Sequence, residues 1–137
     1  MLELEVVTPE RLAYQNQADF VVLPAAEGEI GILTGHAPLL AQLGTGELRI
    51  KRGEAIEFFA VSGGFAEVLD NRVRVFAETA EMGAEINAER ARLAADRARS
   101  DIQKASTPVD LAAAQAALRR ALLRLRVAEG LSRRRKT

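Results

Sequence analysis

The sequence contains no cysteine and a single histidine, His36. Without cysteine the chain can form neither a disulfide nor a thiolate metal site, although the redox compartment stays undetermined. One histidine gives little support to a histidine-based metal site or a catalytic triad. No glycine–lysine pair occurs, so the phosphate-binding P-loop is missing as well. We predict no catalytic residue and no metal site, and interpret His36 as a loop-packing residue.

Long apolar runs and aromatic residues are also scarce. Aromatic residues make up 4% of the sequence and hydrophobic residues 48%, so leucine, valine, isoleucine and alanine must build the core. No apolar run approaches the roughly 20 residues that a membrane-spanning helix needs, and residues 1–5 lack the features of a signal peptide. We expect a soluble intracellular protein with one domain, or one compact domain and an appendage.

The formal net charge of zero conceals two parts of opposite sign. Residues 1–84 carry 13 acidic and 6 basic side chains, a net charge of −7. Residues 85–137 carry 6 acidic and 13 basic side chains, a net charge of +7. This asymmetry indicates two modules, the basic one facing an acidic partner. A solvated helical surface explains the basic part as well.

The first part has the pattern of short β-strands. Leu2, Leu4 and Val6 alternate with Glu3 and Glu5, which is the period of a half-buried strand. No long helical pattern intervenes, so the sequence favours an antiparallel β-sandwich or barrel over a parallel βαβ sheet. Further strand candidates, separated by residues typical of turns, are 20–23, 47–51, 55–61 and 73–76.

The second part has the composition of helices. Between residues 85 and 129 there is no glycine and one proline, and alanine, arginine and leucine dominate. Residues 106–110 indicate a loop and a helix start, with Thr107 as cap and Pro108 at the first helical position. The sequence therefore predicts an α+β protein, in which an antiparallel two-helix hairpin follows the β-sandwich. We expect Gly130 to end the second helix and residues 132–137 to form a frayed basic tail.

The predicted contact face of the first helix consists mainly of alanine. Such a face allows close approach but buries little area, and at about 25 cal/mol per Å² the contact is weak. We therefore hypothesise that the hairpin can open. The predicted faces are Ala91, Ala94, Ala98, Ile102 and Ala105 in the first helix, and Leu111, Leu118, Leu122 and Leu125 in the second.

Two stretches of the first part resemble the family of epsilon subunits of F-type ATP synthases. Residues 27–32 have the family's Glu-Gly-x-aliphatic-Gly-aliphatic run, and residues 35–39 read Gly-His-Ala-Pro-Leu, which follows it closely in the family. Residues 62–68, Ser-Gly-Gly-Phe-Ala-Glu-Val, are similar to a second family segment. Chain length and the order of β-rich part and hairpin agree, so the resemblance covers the whole chain.

The resemblance implies a non-catalytic rotor subunit of a proton-translocating ATP synthase. Residues 1–84 would bind the gamma subunit and the membrane c-ring in the central stalk, coupling proton flow to ATP synthesis. Residues 85–137 would inhibit ATP hydrolysis when the hairpin extends toward the alpha and beta subunits of the catalytic head. The protein would be peripheral, without membrane insertion, on the cytoplasmic face of a bacterial plasma membrane or, alternatively, the stromal face of a thylakoid.

The resemblance also implies two sets of contact residues, one in each part of the chain. The loops 27–31 and 34–39 would meet the base of the rotor. Arginines of the second helix would meet acidic surface on the catalytic subunits. The rotor-base candidates are Glu27, Gly28, Glu29, Gly31, His36 and Pro38. The inhibitory candidates are Arg119, Arg120, Arg124 and Arg126.

A third set concerns ATP, which some members of the family bind through the folded hairpin with the motif Ile/Leu-Asp-x-x-Arg-Ala. Here residues 86–91 read Ile-Asn-Ala-Glu-Arg-Ala, so Asn87 replaces the aspartate. Its amide oxygen still accepts hydrogen bonds but lacks a full negative charge, whereas arginines suit phosphates. We expect no required cofactor, with ATP as a regulatory ligand; alternatively, these residues solvate the hairpin. The candidates are Glu81, Ile86, Asn87, Arg90, Ala91, Arg97, Arg120 and Arg124.

Two alternatives come from other functional classes. A nucleic-acid-binding module would explain the basic hairpin, but not the acidic first part, the scarcity of aromatic residues or the family motifs. An unrelated enzyme on a β-sandwich would need a richer set of catalytic side chains. We therefore expect no nucleic-acid partner. Steeply salt-dependent retention on DNA would favour the first alternative.

Overall fold

The computed structural model describes the backbone of residues 1–136 and the side chains of residues 1–129. The chain divides into two compact units, with the division between Met82 and Gly83. A short 3-10 turn, Gly83–Glu85, begins the second unit. The helices are α1 (Ala88–Lys104) and α2 (Pro108–Lys136). The strands are β1 (Leu2–Val7), β2 (Leu12–Ala18), β3 (Phe20–Ala25), β4 (Gly28–Leu33), β5 (Leu39–Gln42), β6 (Gly46–Arg52), β7 (Ala55–Ser62), β8 (Phe65–Leu69), β9 (Arg72–Phe76) and β10 (Thr79–Met82).

The first unit is a sandwich of two five-stranded sheets. One sheet has the strand order β2-β1-β9-β8-β5, and the other has the order β10-β7-β6-β3-β4. The predicted β-sandwich is confirmed. One pair departs from the antiparallel pattern, because β1 and β9 run parallel with Leu4 opposite Val73. Parallel neighbours need a long crossover connection, and the chain between β1 and β9 supplies it.

The core of this unit lies between the two sheets. Leu2, Leu4 and Val6 are fully buried, as their alternation with Glu3 and Glu5 predicted. Each fully buried side chain of this size stabilises the fold by about 1.5–3 kcal/mol. The other buried core residues come from every remaining strand except β5.

One aromatic pair lies at the β2 side of this core. The rings of Tyr14 and Phe59 meet edge-on, with their centroids 5.4 Å apart, a favourable geometry for aromatic pairs. Partial burial, together with the Glu57 carboxylate, raises the pKa of Tyr14 to about 12. The phenol therefore stays neutral at physiological pH.

Five of the ten strands were not predicted from the sequence. The five candidates correspond to β1, β3, β6, β7 and β9, whereas β2, β4, β5, β8 and β10 were not singled out. Strand β2 has three consecutive exposed polar residues, β4 contains two glycines, and β5 and β10 have four residues each. Their sequences carry little alternation, so pairing with neighbouring strands decides their conformation.

Positive φ angles mark two tight turns of the sandwich. Asp70 and Asn71, with φ of 49° and 61°, form the two-residue turn between β8 and β9, where hairpins of this length favour such angles. Gly64 has φ of 94°, and a Cβ there would collide with the carbonyl oxygen of Phe76. This explains the second glycine of the Ser-Gly-Gly segment.

The second unit is a helical hairpin, as predicted. Residues 105–107 join α1 and α2, which pack against each other. Asn87 caps α1, since its Oδ1 accepts a hydrogen bond of 3.0 Å from the backbone N–H of Arg90. Thr107 caps α2 in the same way, with 3.1 Å between its Oγ1 and the backbone nitrogen of Asp110. The prediction of Thr107 as cap and Pro108 as first helical residue is confirmed.

The prediction that α2 ends at Gly130 is wrong, because the helix continues to Lys136. One glycine inside a helix costs only about 1 kcal/mol relative to alanine, and strong helix formers flank this one. Residues 132–136 are therefore helical rather than a frayed tail. Thr137 lies outside the described residues.

The buried faces of the helices also differ from those predicted. In α1 the buried residues are Ala91, Ala95 and Ala98, whereas Ala94 is exposed, and Ile102 and Ala105 are half-buried. In α2 the leucines of the predicted face are exposed or half-buried. The buried face of α2 therefore combines alanines with Leu123 and Val127 and is rotated from the face that the leucine spacing predicted. The buried residues of α2 are Ala114, Ala121, Leu123 and Val127.

We predict that residues 1–84 fold without the hairpin. The hydrophobic core cluster is built entirely from residues between Leu2 and Met82, so truncation removes none of it. A fragment of residues 1–84 should show a β-rich circular dichroism spectrum and one cooperative thermal transition, with the full chain as the control. An unfolded fragment would contradict the division into two units.

Candidate functional sites

The rotor-base candidates occupy a turn, an edge strand and a loop of the first unit. Glu27 lies in the turn between β3 and β4, and residues 34–38 connect β4 to β5. The prediction that residues 27–31 form a loop is wrong, because Gly28–Leu33 is the edge strand β4, paired with β3. Ile32 is buried and Ile30 half-buried, while Glu29 and Leu33 are exposed. The core thus holds this strand from one side.

An arginine orients the exposed carboxylate of Glu29. Nη2 of Arg49, on β6, lies 2.9 Å from Oε2 of Glu29. Both side chains are more than one-third exposed, so a pair of this kind contributes about 0–1 kcal/mol to stability. The pair reaches from β6 to β4 across β3. Sequence reasoning missed Arg49, because no local pattern brings residues 20 positions apart into contact.

A neighbouring aromatic ring explains why residue 31 is a glycine. A Cβ at this position would lie 3.0 Å from Cζ of Phe20 and 3.1 Å from its Cε2. A larger residue would have to displace the ring of Phe20 from the surface of β4. Packing against Phe20 therefore explains the motif glycine at position 31. At position 28 the backbone explains it, because a φ of 138° favours glycine.

Three hydrogen bonds shape the loop of residues 34–38. The backbone N–H of His36 donates to the Leu33 oxygen at 3.1 Å. Nδ1 of His36 lies 2.6 Å from the Ala37 oxygen; because a carbonyl only accepts, the proton lies on Nδ1. The backbone N–H of Gly35 donates to Oδ1 of Asn71 at 2.7 Å. His36 is half-buried, in agreement with a loop-packing residue, and its Nε2 makes no hydrogen bond among the described residues.

Beside this loop the first unit exposes apolar side chains, which we call the β5–β8 face. Leu40 on β5 is 70% exposed, and Phe65 and Leu69 on β8 are 47% and 45% exposed. Leu40 is opposite Glu67, so it lies diagonally between Phe65 and Leu69. The Phe65 ring also packs on Phe76, with centroids 5.1 Å apart. Sequence analysis did not single out this face, because no one strand carries more than two of its members.

The four inhibitory candidates lie on two sides of α2. Arg119 and Arg126 are seven positions apart, and Arg120 and Arg124 are four positions apart. With about 100° per residue, each pair shares a side, and the two sides differ by roughly a third of a turn. Arg124 is half-buried and the other three are exposed. One flat acidic surface cannot meet all four at once.

The candidates for ATP divide into structural and exposed residues. Ile86 and Ala91 are buried. Oδ1 of Asn87 accepts the hydrogen bond that caps α1. The motif thus also has a role in starting the helix. Glu81 belongs to β10 in the first unit.

The exposed arginines suit a polyphosphate better than Asn87 does. Arg90 and Arg97 are exposed and, seven positions apart, lie on one side of α1. Arg120 and Arg124 share a side of α2. Oδ1 of Asn87 already accepts the capping hydrogen bond, so its second lone pair and its amide N–H groups remain for a ligand, without a negative charge. Arg90 and Arg97 carry the positive charge that suits phosphates, whereas Arg124 is half-buried.

The described part of the chain also bears on metal binding and membrane insertion. Within it, no group of three or more histidine, cysteine, aspartate or glutamate side chains could hold a metal ion. None of its helices combines the length and apolar character needed to cross a membrane. Two shallow grooves of about 220 and 230 Å³ lie along Arg72 and Arg74 on the outer face of the β1–β9 sheet. Neither groove contains a candidate residue.

Comparisons with known proteins cover both units. The family model described as ATP synthase, Delta/Epsilon chain, beta-sandwich domain matches residues 1–83. The model described as ATP synthase, Delta/Epsilon chain, long alpha-helix domain matches residues 84–129. The chain belongs to the ATP synthase delta/epsilon family. The resemblance drawn from the sequence motifs is thereby confirmed, and the chain functions as an ATP synthase subunit.

Curated relatives and solved structures agree with this membership. The ATP synthase epsilon chain of Syntrophomonas wolfei is 47% identical over 127 residues, 92% of this chain and 93% of the relative. That of Maridesulfovibrio salexigens is 53% identical over 124 residues, 90% and 87% of the two chains. A chain of the Euglena gracilis mitochondrial ATP synthase structure, described as OSCP/F1/c-ring, superposes with a TM-score of 0.76 at 26% identity, covering 86% of this chain and 75% of that one.

A second solved structure supports the fold alone. A chain of the Tetrahymena thermophila mitochondrial ATP synthase, described as central stalk/c-ring, superposes with a TM-score of 0.65 at 19% identity. The alignment covers 93% of this chain and 96% of that chain. The sandwich followed by two helices is therefore an arrangement shared across distant members.

Proposed function

We propose that the first unit binds the gamma subunit and the c-ring in the central stalk, as a non-catalytic rotor component that couples proton flow to ATP synthesis. The observation that carries this proposal is the exposed β5–β8 face beside the loop of residues 34–38. An apolar patch rimmed by polar residues marks a protein interface. The family membership and the Euglena assembly, whose description includes a c-ring, support this assignment.

The two sides of the unit suit two different contacts within the rotor. The β5–β8 face is apolar and fits a protein surface that stays bound during rotation, which is the gamma subunit. The turn at Glu27 and the pair of Glu29 with Arg49 are polar and exposed, and they suit the polar ends of c-ring subunits. The protein is then peripheral, on the cytoplasmic face of a bacterial plasma membrane. The bacterial sources of its epsilon-chain relatives support this choice over a thylakoid.

We further propose that the second unit restrains ATP hydrolysis when the hairpin extends along gamma toward the alpha and beta subunits. In α1 the buried residues are all alanines, namely Ala91, Ala95 and Ala98. Little apolar area is buried per residue there, so the folded hairpin is only weakly favoured. The basic side chains of α2 supply the opposing attraction to acidic catalytic subunits. Two states of similar free energy respond to modest changes in ligand or partner.

ATP is the regulatory ligand that we propose for the folded hairpin. The exposed pair Arg90 and Arg97 on α1 supports binding of its phosphates. The missing carboxylate at Asn87 argues for weaker binding than in members with aspartate. No cofactor is required for the rotor role.

The β5–β8 face provides a direct test of rotor binding. Leu40→Glu and Phe65→Glu each place a charge in the apolar contact, and either should weaken co-elution with a gamma-containing catalytic head by at least about tenfold. Ile56→Glu is the matched control, since Ile56 is a 48% exposed residue on β7 in the other sheet. Undiminished binding by both variants, in chains with unchanged circular dichroism, would exclude this face as the contact.

Removal of the hairpin tests the inhibitory role. Deletion of residues 85–137 should raise ATP hydrolysis by the assembled enzyme and leave proton-driven synthesis largely intact, because the rotor contacts remain. The pairs Arg119→Ala/Arg126→Ala and Arg120→Ala/Arg124→Ala should differ, since only one side of α2 can face a given acidic surface. Hydrolysis unchanged by the deletion and by both pairs, in complexes that retain the sandwich, would refute the restraint.

Position 87 separates helix capping from nucleotide binding. Asn87→Ala should destabilise the start of α1 by about 1 kcal/mol, measured by amide exchange at Arg90 and Ala91. Asn87→Asp keeps the cap and restores the charge, so ATP should bind more tightly. Arg90→Ala should weaken ATP binding by about 1.5–3 kcal/mol, the value of a charge-assisted hydrogen bond. NMR spectra without ATP-dependent shifts at residues 86–91, even at millimolar ATP, would remove the nucleotide from the regulation.

A further inference from the structure

Asn71 connects three segments of the first unit that are distant in the sequence. It is the second residue of the turn between β8 and β9 and has φ of 61°, a left-handed conformation that asparagine tolerates better than most residues. Its backbone oxygen accepts a hydrogen bond of 2.8 Å from the Glu3 N–H at the start of β1. Its Oδ1 accepts one of 2.7 Å from the Gly35 N–H. One residue therefore ties the loop of residues 34–38 to the β8–β9 turn and to β1, in the same sheet that the chain enters at β5.

The other hydrogen bonds of this loop are local. His36 bonds to Leu33 through its backbone N–H and to Ala37 through its ring. Within the described residues, the bond to Asn71 is the one hydrogen bond that joins residues 34–38 to a distant segment. Gly35 has φ of 86°, and nothing lies within 4 Å of the place where a Cβ would be. The loop conformation is thus held by a bond rather than by crowding.

We propose that Asn71 is a positioning residue for rotor binding, which presents His36 and Pro38 to the partner by holding the Gly35 N–H. The inference rests on the proposed function, in which gamma binds the β5–β8 face beside this loop. The position requires two properties together, namely tolerance of a positive φ and a short side chain with an acceptor oxygen. Asparagine and aspartate have both properties, whereas glycine has only the first.

These requirements define a matched set of variants in the full chain. Asn71→Gly keeps the turn, because Asp-Gly is a preferred sequence for a two-residue hairpin loop, and it removes Oδ1. Asn71→Asp retains an acceptor and serves as the conservative rescue. Asp19→Ala is a control elsewhere, since Oδ2 of Asp19 accepts a hydrogen bond of 2.6 Å from the Gly53 N–H. That control removes the same kind of bond from the turn between β6 and β7.

Amide exchange measured by NMR tests the local step. In Asn71→Gly, exchange of the Gly35 amide should accelerate by up to about tenfold, the range expected for loss of one ordinary hydrogen bond. Exchange within β8 and β9 should stay unchanged, and Asn71→Asp should restore slow exchange at Gly35. Asp19→Ala should accelerate exchange at Gly53 and leave Gly35 unaffected. Unchanged exchange at Gly35 in Asn71→Gly would overturn the proposal.

Binding to a gamma-containing catalytic head that lacks its own epsilon subunit tests the functional step. Asn71→Gly should weaken binding several-fold, Asn71→Asp should restore it, and Asp19→Ala should leave it unchanged. If Leu40→Glu weakens binding and Asn71→Gly does not, the positioning role is refuted while the proposed function stands. If neither variant weakens binding, the proposed function fails as well.

Discussion

The outward-facing features of the first unit all depend on one packing constraint, the burial of one face of each sheet against the other. Leu2, Leu4 and Val6 reach zero exposure by alternating with Glu3 and Glu5, and the opposing strands follow the same rule. A shift of one residue in any strand would send its apolar set to solvent. This strong preference for one register determines which side chains remain outside and available for a partner.

Close packing also explains the glycines in the family motifs of the first unit. Gly31 leaves room for the Phe20 ring on the outer side of β4, and Gly64 avoids the Phe76 carbonyl. At both places glycine allows a close approach that a side chain would obstruct. Beside them, Leu40 and Phe65 stay exposed although burial would stabilise each of them. Side chains left outside at this cost form the surface that the proposed contact with gamma would cover.

The second unit follows a different rule. Its helices start at Asn87 and Thr107, whose side chains cap them, and α1 buries small alanine side chains. Capping and helix propensity favour each helix locally. The small buried area contributes little free energy to the packing of one helix on the other. A sandwich with a large core and a hairpin with a small buried area suit the two proposed roles, rotor binding by the first unit and regulation by the second.

Local patterns in the sequence were sufficient to predict a β-sandwich followed by a helical hairpin. Alternation predicted β1, short apolar runs between turn residues predicted β3, β6, β7 and β9, alanine- and leucine-rich segments predicted the hairpin, and two short motifs predicted the family. These features work at short range, because side-chain direction in a strand and backbone preference in a helix depend on residues within a few positions. The cap at Thr107 and the first helical residue, Pro108, were predictable for the same reason.

Only the tertiary structure decided which distant residues meet. Strand β4 forms because β3 pairs with it, and Arg49 reaches Glu29 across an intervening strand. Asn71 meets Gly35 although 36 positions separate them. In the hairpin, tertiary packing buried Ala114, Ala121, Leu123 and Val127 in place of the predicted leucines. The sequence determines which side chains can make such contacts, but the contacts themselves exist only after two sheets close over one core and bring separate turns together.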